Sequence, residues 1–153
     1  MSEPASQRLH PKHWARAKGF SNGILAEGRH VFIAGQIGWN AEQRFESDDF
    51  VAQVEQALRN IAEVLAEAAG RPEHVVRLTW YVLDKNEYLA RLREIGEAYR
   101  RVFGRHFPAM TLVQVMGLVE ARAKVEIEAT AVLPARPKRA PRPAAQTRAP
   151  EPS

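Results

Sequence analysis

One carboxylate stands out in the strand-like run near the end of the chain. Glu126 lies in VEIEATAV, where its neighbours are mainly β-branched or small residues. A carboxylate on the polar side of a central strand is ion-paired, solvated or engaged in proton transfer, and the structural roles are the more common ones. Glu126 is therefore the candidate catalytic residue, and a structural role stays open beside it.

Two apolar residues, Met110 and Trp39, lie at positions that could belong either to the core or to a binding site. In HFPAMTLVQV, Met110 stands at the entrance of a strand, where it fills a core or replaces a group that does chemistry. Trp39 follows AGQIG, where an aromatic ring usually packs on its neighbours but also walls ligand pockets. Neither residue decides the function by itself.

The sequence contains no motif typical of a metal site or of a catalytic nucleophile. The chain has no cysteine, and His10-x-x-His13 has no third ligand close in sequence, so we expect surface histidines and no metal site. It also lacks a G-x-S-x-G motif, a phosphate-binding loop and a dinucleotide fingerprint.

The net charge of +4 belongs to the end of the chain. From Pro134 to Ser153 there are five basic residues, one acidic residue and six of the ten prolines, so the rest of the chain is neutral. Such a composition predicts a disordered tail over residues 135–153. Nucleic-acid binding is therefore expected only as a weak contact of residues 136–148.

Length and hydropathy indicate one ordinary domain with an extension. The chain has 153 residues, of which 45% are hydrophobic, and no apolar run is long enough to span a membrane. The first residues lack the apolar centre of a signal peptide, and we expect a cytoplasmic protein without membrane contact.

The elements that must position these residues follow from periodicity. SNGILAEG and GRHVFIAGQIGW predict a hairpin with its turn at Glu27-Gly28. Ser47 is the expected N-cap of a helix that ends at Gly70 and carries a helical stripe of Val51, Val54, Leu58, Ile61 and Leu65.

A strand, a second helix and two more strands complete the chain. In HVVRLTWYVLD, alternation places Val76, Leu78, Trp80 and Val82 on one face. Asn86 is the expected cap of a helix that ends at Gly104 and carries Tyr88, Leu92, Ile95, Tyr99 and Val102. AMTLVQVMG and AKVEIEATAVL read as the final strands.

The order ββαβαββ predicts a two-layer α+β domain with two long helices on one face of a mixed sheet. In the last strand Val125, Ile127, Ala129 and Ala131 share one side, and polar residues share the other. No further element of the chain covers that second face, so the pattern favours a homo-oligomer that packs sheet against sheet.

Five segments in this order resemble the RidA (YjgF) family of reactive-intermediate deaminases: VFIAGQI, AQVEQALRNIAEVLAEAAG, VVRLTWYVLD, YRRVFGRHFPAMTLVQV and VEIEATAVLP. The resemblance covers about residues 18–134, which leaves residues 1–17 as an extension. It implies a chorismate-mutase-like fold and a homotrimer with three ligand clefts between subunits. It also implies hydrolysis of small imines and enamines, such as 2-aminoacrylate, without a cofactor.

The resemblance assigns roles at the site. Glu126 matches the glutamate thought to position the attacking water. Active members carry Pro-Ala-Arg-Ser/Thr, and their arginine grips the substrate carboxylate. This chain has Ala109, Met110 and Thr111 after the proline, so a thioether replaces the guanidinium.

Two further positions lose a hydroxyl group relative to the family. Phe20 takes the place of a tyrosine, and Ala34-Gly35 takes the place of Ser-Gly, although the backbone groups remain. With Trp39 as a pocket wall, these changes predict a more apolar cleft. Its ligand is then less anionic than an amino-acid imine, or is bound in another orientation.

Three functions remain open from the sequence. The first is hydrolysis of an imine, enamine or related compound, with weak or absent activity on 2-aminoacrylate. The second is a non-catalytic trimer that binds a metabolite or a protein in the same cleft. The third, an RNA-binding or ribonuclease-like protein, is disfavoured by the neutral charge of the domain.

Overall fold

A computed structural model describes residues 6–139. Six strands and three helices are present in this part of the chain, together with a 3-10 turn at Pro72–His74. The strands are β1 (Ser6–Leu9), β2 (Gly23–Ala26), β3 (Arg29–Ile37), β4 (Val75–Val82), β5 (Ala109–Gln114) and β6 (Val125–Leu133). The helices are α1 (Phe50–Ala66), α2 (Lys85–Ala90) and α3 (Leu92–Phe103).

The main sheet has four strands in the order β3-β6-β4-β5. β6 runs antiparallel to both β3 and β4, and β4 and β5 are parallel. The helices cover one face of this mixed sheet, which confirms the predicted two-layer α+β architecture. A parallel β4–β5 pair requires a long crossover, and α2 and α3 supply it.

The first helix buries the stripe that its periodicity predicts. Its five predicted stripe residues are all buried, and Phe50 and Ala57 join them. Gln53 is also buried, and it is satisfied on both sides: its amide nitrogen donates to the carbonyls of Ser47 and Arg122, and its oxygen accepts from the amide of Lys124. This side chain joins the first turn of α1 to the start of β6.

Both predicted N-caps are displaced by two residues. Asp49, not Ser47, caps α1, because its carboxylate accepts from the amide of Ala52, while Ser47 accepts from the amide of Asp49 itself. Asp84, not Asn86, caps α2, because its carboxylate accepts from the backbone amides of Asn86 and Glu87.

The second helix is broken at Arg91, whose backbone is not helical (φ −121°, ψ 26°). Of its predicted apolar stripe, Ile95 and Tyr99 are buried, whereas Leu92 remains 50% exposed beside the break. Gly104 ends α3 with a φ of 61°, as the sequence predicts.

A register shift in β4 changes which valine is buried. The pairing with β6 slips between Val75 and Arg77, so Val75 faces the core in place of the predicted Val76. Leu78, Trp80 and Val82 are buried as expected.

The predicted hairpin between the first two segments is wrong. Gly23–Ala26 pairs antiparallel with Ser6–Leu9, whereas Arg29–Ile37 pairs with the last strand of the chain. At Gly28 the chain has a φ of 149°, and a Cβ there would overlap the carbonyl of Leu133, so the chain leaves one sheet and enters the other at this glycine.

The second face of the sheet is open in the single chain. On β6, Val125, Ile127, Ala129 and Ala131 are buried, and the alternate residues point to the other side, as predicted. Phe32 of β3 lies 77% exposed.

Outside the strands and helices, residues 134–139 have no regular structure, and the remainder of the predicted tail lies outside the described residues. Among the described helices, none has the length and apolar content that crossing a membrane requires.

Candidate functional site

Phe20 is placed by a short extension of the sheet edge. Ser21 forms a parallel bridge with Ala109, and its amide donates to the carbonyl of Pro108 (3.0 Å). The Ser21 hydroxyl donates to the carbonyl of Phe107, and the residue is buried. These bonds fix the segment before β2 against β5 and bring Phe20 beside Met110.

Met110 faces the helices and lines a pocket. The pocket has a volume of about 540 Å³ and lies between α2, α3 and the β5 edge of the sheet. Phe20 and Gly96 line it as well, and its other walls are mostly apolar or aromatic. It is large enough for a small-molecule ligand. Met110 therefore shapes a pocket wall while it packs against the core.

A second cavity, of about 320 Å³, lies around the same edge. It is lined by Phe20, Ala109, Met110 and Thr111, four of the residues that the sequence predicts for substrate binding. Arg77 of β4 lines it too, because it pairs in register with Ala109. We call the four predicted residues the β5-edge group.

Glu126 lies on the open face of the sheet, next to β3. It pairs in register with Ile37 on one side and Tyr81 on the other. A Cβ at Gly35 would overlap its carboxylate, so the glycine leaves the space that Glu126 occupies. Within residues 6–139 Glu126 has no hydrogen-bond or ion-pair partner, and a paired structural role finds no support.

A phenol and a second carboxylate stand beside Glu126. The Tyr81 hydroxyl donates to Glu128 (2.9 Å). This hydrogen bond, with a smaller contribution from the negative charge of Glu126, raises the pKa of the Tyr81 phenol. The Tyr81 phenol on this polar face therefore stays neutral at neutral pH.

Ala34 lies in the irregular part of β3, where the pairing slips between Ile33 and Gln36. It lines a cavity of about 640 Å³ on the open face, together with Arg77, Glu128 and Thr130. We call Ala34, Gly35 and Glu126 the β3-side group.

Trp39 belongs to neither group. It lies beyond the end of β3, forms an isolated bridge with Phe45, and packs its ring 6.1 Å from the Phe45 ring. The Asn60 side chain donates to its carbonyl (2.8 Å) and holds this loop on α1.

The single chain does not bring the two groups together. The register places Ile33, Ala129, Leu78 and Met110 side by side across the sheet. Three strand spacings separate β3 from β5, about 14 Å. Met110 also faces the helices, whereas Glu126 faces the open side.

Sequence reasoning missed several charged and polar residues around these sites. Tyr81, Glu128 and Arg77 belong to the polar face of β4 and β6, and strict alternation from the recognised core positions places all three there. Lys18 and Arg100 border the 540 Å³ pocket, and only the tertiary fold reveals this.

No cluster of three or more potential metal ligands occurs in the described part of the chain. His10 is engaged locally: its two ring nitrogens face the carbonyl of Trp14 and the side-chain amide of Asn22.

Comparison with known proteins gives consistent matches. The family model described as Endoribonuclease L-PSP matches residues 11–133. Protein DfrA of Myxococcus xanthus is 34% identical over 86% of this chain and 99% of its own length. The human 2-iminobutanoate/2-iminopropanoate deaminase is 31% identical over 74% of this chain and 79% of its own.

The architecture matches a solved structure at similar identity. The Yersinia pestis protein YyfB, of the conserved Rid family, has a TM-score of 0.76 and 33% identity, and the match covers 85% of this chain and all of that one.

Proposed function

Since the chain belongs to the Endoribonuclease L-PSP family, which includes the Rid proteins, we propose that it binds and hydrolyses a small imine or enamine. The reaction takes place in a cleft between copies of the chain and needs no cofactor. Deaminase relatives support the reaction class, and the arrangement around Glu126 carries the proposal. The function is assigned to residues 18–134 of a cytoplasmic protein, with β1 packed against that domain.

Glu126 has the position and freedom that water activation requires. Its carboxylate lies in the space left by Gly35 on an open polar face, without a partner among the described residues. It accepts a proton from water as the water oxygen adds to the imine carbon, and it returns that proton to the imine nitrogen, which gives a neutral carbinolamine. A second proton then moves from the hydroxyl oxygen to the nitrogen, so that the carbinolamine expels ammonia and leaves the ketone.

A trimer supplies what one chain lacks. Across the sheet, the β5-edge group lies about 14 Å from Ala34 and Gly35 on β3 and about 10 Å from Glu126 on β6. A head-to-tail ring places the β5 edge of one copy against the β3 side of the next, and it closes with equal contacts. The exposed Phe32 on the open face is covered in the same assembly.

Met110 makes 2-aminoacrylate a poor substrate in this proposal. A thioether offers no charge-assisted hydrogen bond to a carboxylate, and each such bond is worth roughly 1.5–3 kcal/mol. At about 1.4 kcal/mol per factor of ten, losing a bidentate pair costs about a hundredfold or more in rate. The apolar pocket beside Met110 favours a larger ligand.

The test is Met110→Arg, assayed with a pyridoxal-phosphate dehydratase that makes 2-aminoacrylate from serine and with pyruvate detection. We expect little activity in the natural protein and a partial gain in the variant, larger when Phe20→Tyr is added. Leu89→Arg, which adds the same charge at an exposed position of α2, should give no gain. Robust hydrolysis by the natural protein would contradict the role given to Met110.

A non-catalytic binding function is the second candidate, and the pocket favours it. Its lining residues are mainly apolar, and it needs no contribution from Glu126. On this alternative Glu126→Gln leaves ligand binding by the natural protein unchanged. On the proposed function the same substitution removes the hydrolysis gained by Met110→Arg.

A further inference from the structure

Arg100 is an uncommitted guanidinium at the rim of the 540 Å³ pocket. Within residues 6–139 it has no ion-pair or hydrogen-bond partner, unlike its neighbours on α3. Arg93 pairs with Glu97 (3.3 Å), and Arg101 pairs with Glu55 (2.6 Å). Lys18 provides a second cation at the same rim. The pocket therefore has a positively charged entrance.

Gly96 makes room for the Arg100 side chain. The two residues are one helical turn apart, and a Cβ at Gly96 would lie 3.2 Å from Nη1 of Arg100. The guanidinium therefore lies over Gly96 of α3, at the pocket wall. Met110 lines the same pocket from the opposite element, β5.

The interior of the pocket is apolar and uncharged. Its walls include Tyr88, Tyr99, Phe107 and Leu112, and none of the lining residues carries a carboxylate. Burial raises the pKa of the Tyr88 and Tyr99 phenols, so both stay neutral at physiological pH. Nothing in this lining opposes an anion held at the rim.

The floor contains an unsatisfied donor. Trp80 lines the pocket, is 4% exposed, and its indole N–H has no acceptor among the described residues. A buried donor without a partner is costly, so an acceptor on a ligand that reaches it is favourable.

We propose that this pocket binds an amphipathic carboxylate, with its aromatic or branched apolar group between α3 and β5 and its carboxylate at Arg100. Lys18 adds a second, weaker contact. Arg100 thus supplies from a helix the cation that Met110 cannot supply from the strand, and the ligand points its carboxylate towards the helix layer. The claim that Arg100 determines substrate specificity rests on the proposed function. The claim that the pocket binds an amphipathic carboxylate does not.

The test compares 3-phenylpropanoate with 3-phenylpropanamide and with propanoate, each titrated into the full-length protein by calorimetry. We expect the aromatic carboxylate to bind about five- to tenfold more tightly than its amide, because Arg100 is exposed and the ion pair is partly screened. Propanoate, which lacks the apolar group, should bind more weakly than either.

Variants of α3 locate the effect. Arg100→Gln should reduce the affinity for the carboxylate to that for the amide, and Arg100→Lys should retain part of the difference. Arg93→Gln removes a charge from the same helix outside the pocket and should change neither affinity. The indole N–H signal of Trp80 in proton–nitrogen spectra should shift on titration, while those of Trp14 and Trp39 stay in place.

Equal affinity for carboxylate and amide would overturn the proposal. So would an unaffected Arg100→Gln variant with native spectra, or ligand-induced shifts that spare Trp80. Imine hydrolysis is measured on the same samples. If no imine hydrolysis is detected but Arg100-dependent binding is, the proposed function alone is refuted. If hydrolysis is detected without selectivity for the carboxylate, the Arg100 assignment alone is refuted.

Discussion

Gly35 and Gly38 lie three residues apart, and each leaves out a side chain for a different reason. A Cβ at Gly35 would meet the carboxylate end of the Glu126 side chain, whereas a Cβ at Gly38 would lie 2.5–2.7 Å from Cβ, Cα and Cγ of Gln53 in α1. The first neighbour moves by rotating its side chain. The second neighbour is Gln53, which is fixed by its place in the helix and by its hydrogen bonds to Arg122 and Lys124 just before β6.

This contrast predicts opposite behaviour for two alanine substitutions. Gly38→Ala should lower the free energy of unfolding by about 1–3 kcal/mol through overpacking, as measured by chemical denaturation. Gly35→Ala should change it by less than about 1 kcal/mol. It should nevertheless remove the hydrolysis gained by Met110→Arg, because Glu126 is displaced. A Gly35→Ala protein that keeps this activity would argue against water positioning by Glu126.

Met110 shows how much the residue type alone can predict. Its sequence context indicates that a thioether stands at the start of a strand, where the RidA family carries arginine. The sequence does not indicate which residues face Met110. The fold places Gly96 and Arg100 of α3 around the same pocket, through contacts between residues that are distant in sequence.

At the scale of elements, Arg91 holds the break between α2 and α3. Its guanidinium contacts Asp49 at the N-terminus of α1 (2.6 Å) and Glu94 (2.6 Å). These bonds hold the pKa values of both carboxyl groups below their usual range. The wall of the 540 Å³ pocket is thereby fixed to the first helix.

Arg91→Gln should lower the melting temperature by a few degrees at pH 7, as measured by calorimetry. Carboxyl groups with lowered pKa values stabilise the fold above their unfolded pKa, about 4, and this contribution is lost as the pH falls through the folded values. The difference between natural protein and variant should therefore shrink at acidic pH. Arg105→Gln serves as the control, because Arg105 is exposed and has no ion-pair or side-chain hydrogen-bond partner within residues 6–139. A difference that persists unchanged at low pH would contradict the ion-pair explanation.

Helical stripes and strand alternation predicted most elements correctly because they report local burial. The core of α1 and the buried side of β6 follow directly from spacing. The caps failed because Ser47 and Asp49 are both good capping residues two positions apart. The hairpin failed because adjacency in sequence favours pairing, whereas β3 finds its partner about a hundred residues later, in β6.

At the scale of the whole molecule, one assembly would account for both the open face of the sheet and the separation of the β5-edge group from the β3-side group. The sequence indicated an uncovered face, but the separation of the two groups across the sheet depends on the strand order β3-β6-β4-β5. Neither β5 beside β4 nor β6 beside β3 is visible in local patterns. The proposed ring of copies would cover the face and join the groups.

Cysteine cross-linking tests that claim most directly, because the chain has no cysteine of its own. We would combine Ala34→Cys and Thr111→Cys in one chain. Within one chain β3 and β5 are about 14 Å apart, so the bismaleimide cross-linker is chosen to be shorter than this distance. The account predicts covalent trimers on a denaturing gel, and no covalent trimers when Glu63→Cys, on the exposed side of α1, replaces Ala34→Cys. Monomers alone from the first pair at full reagent consumption would contradict a site completed between copies.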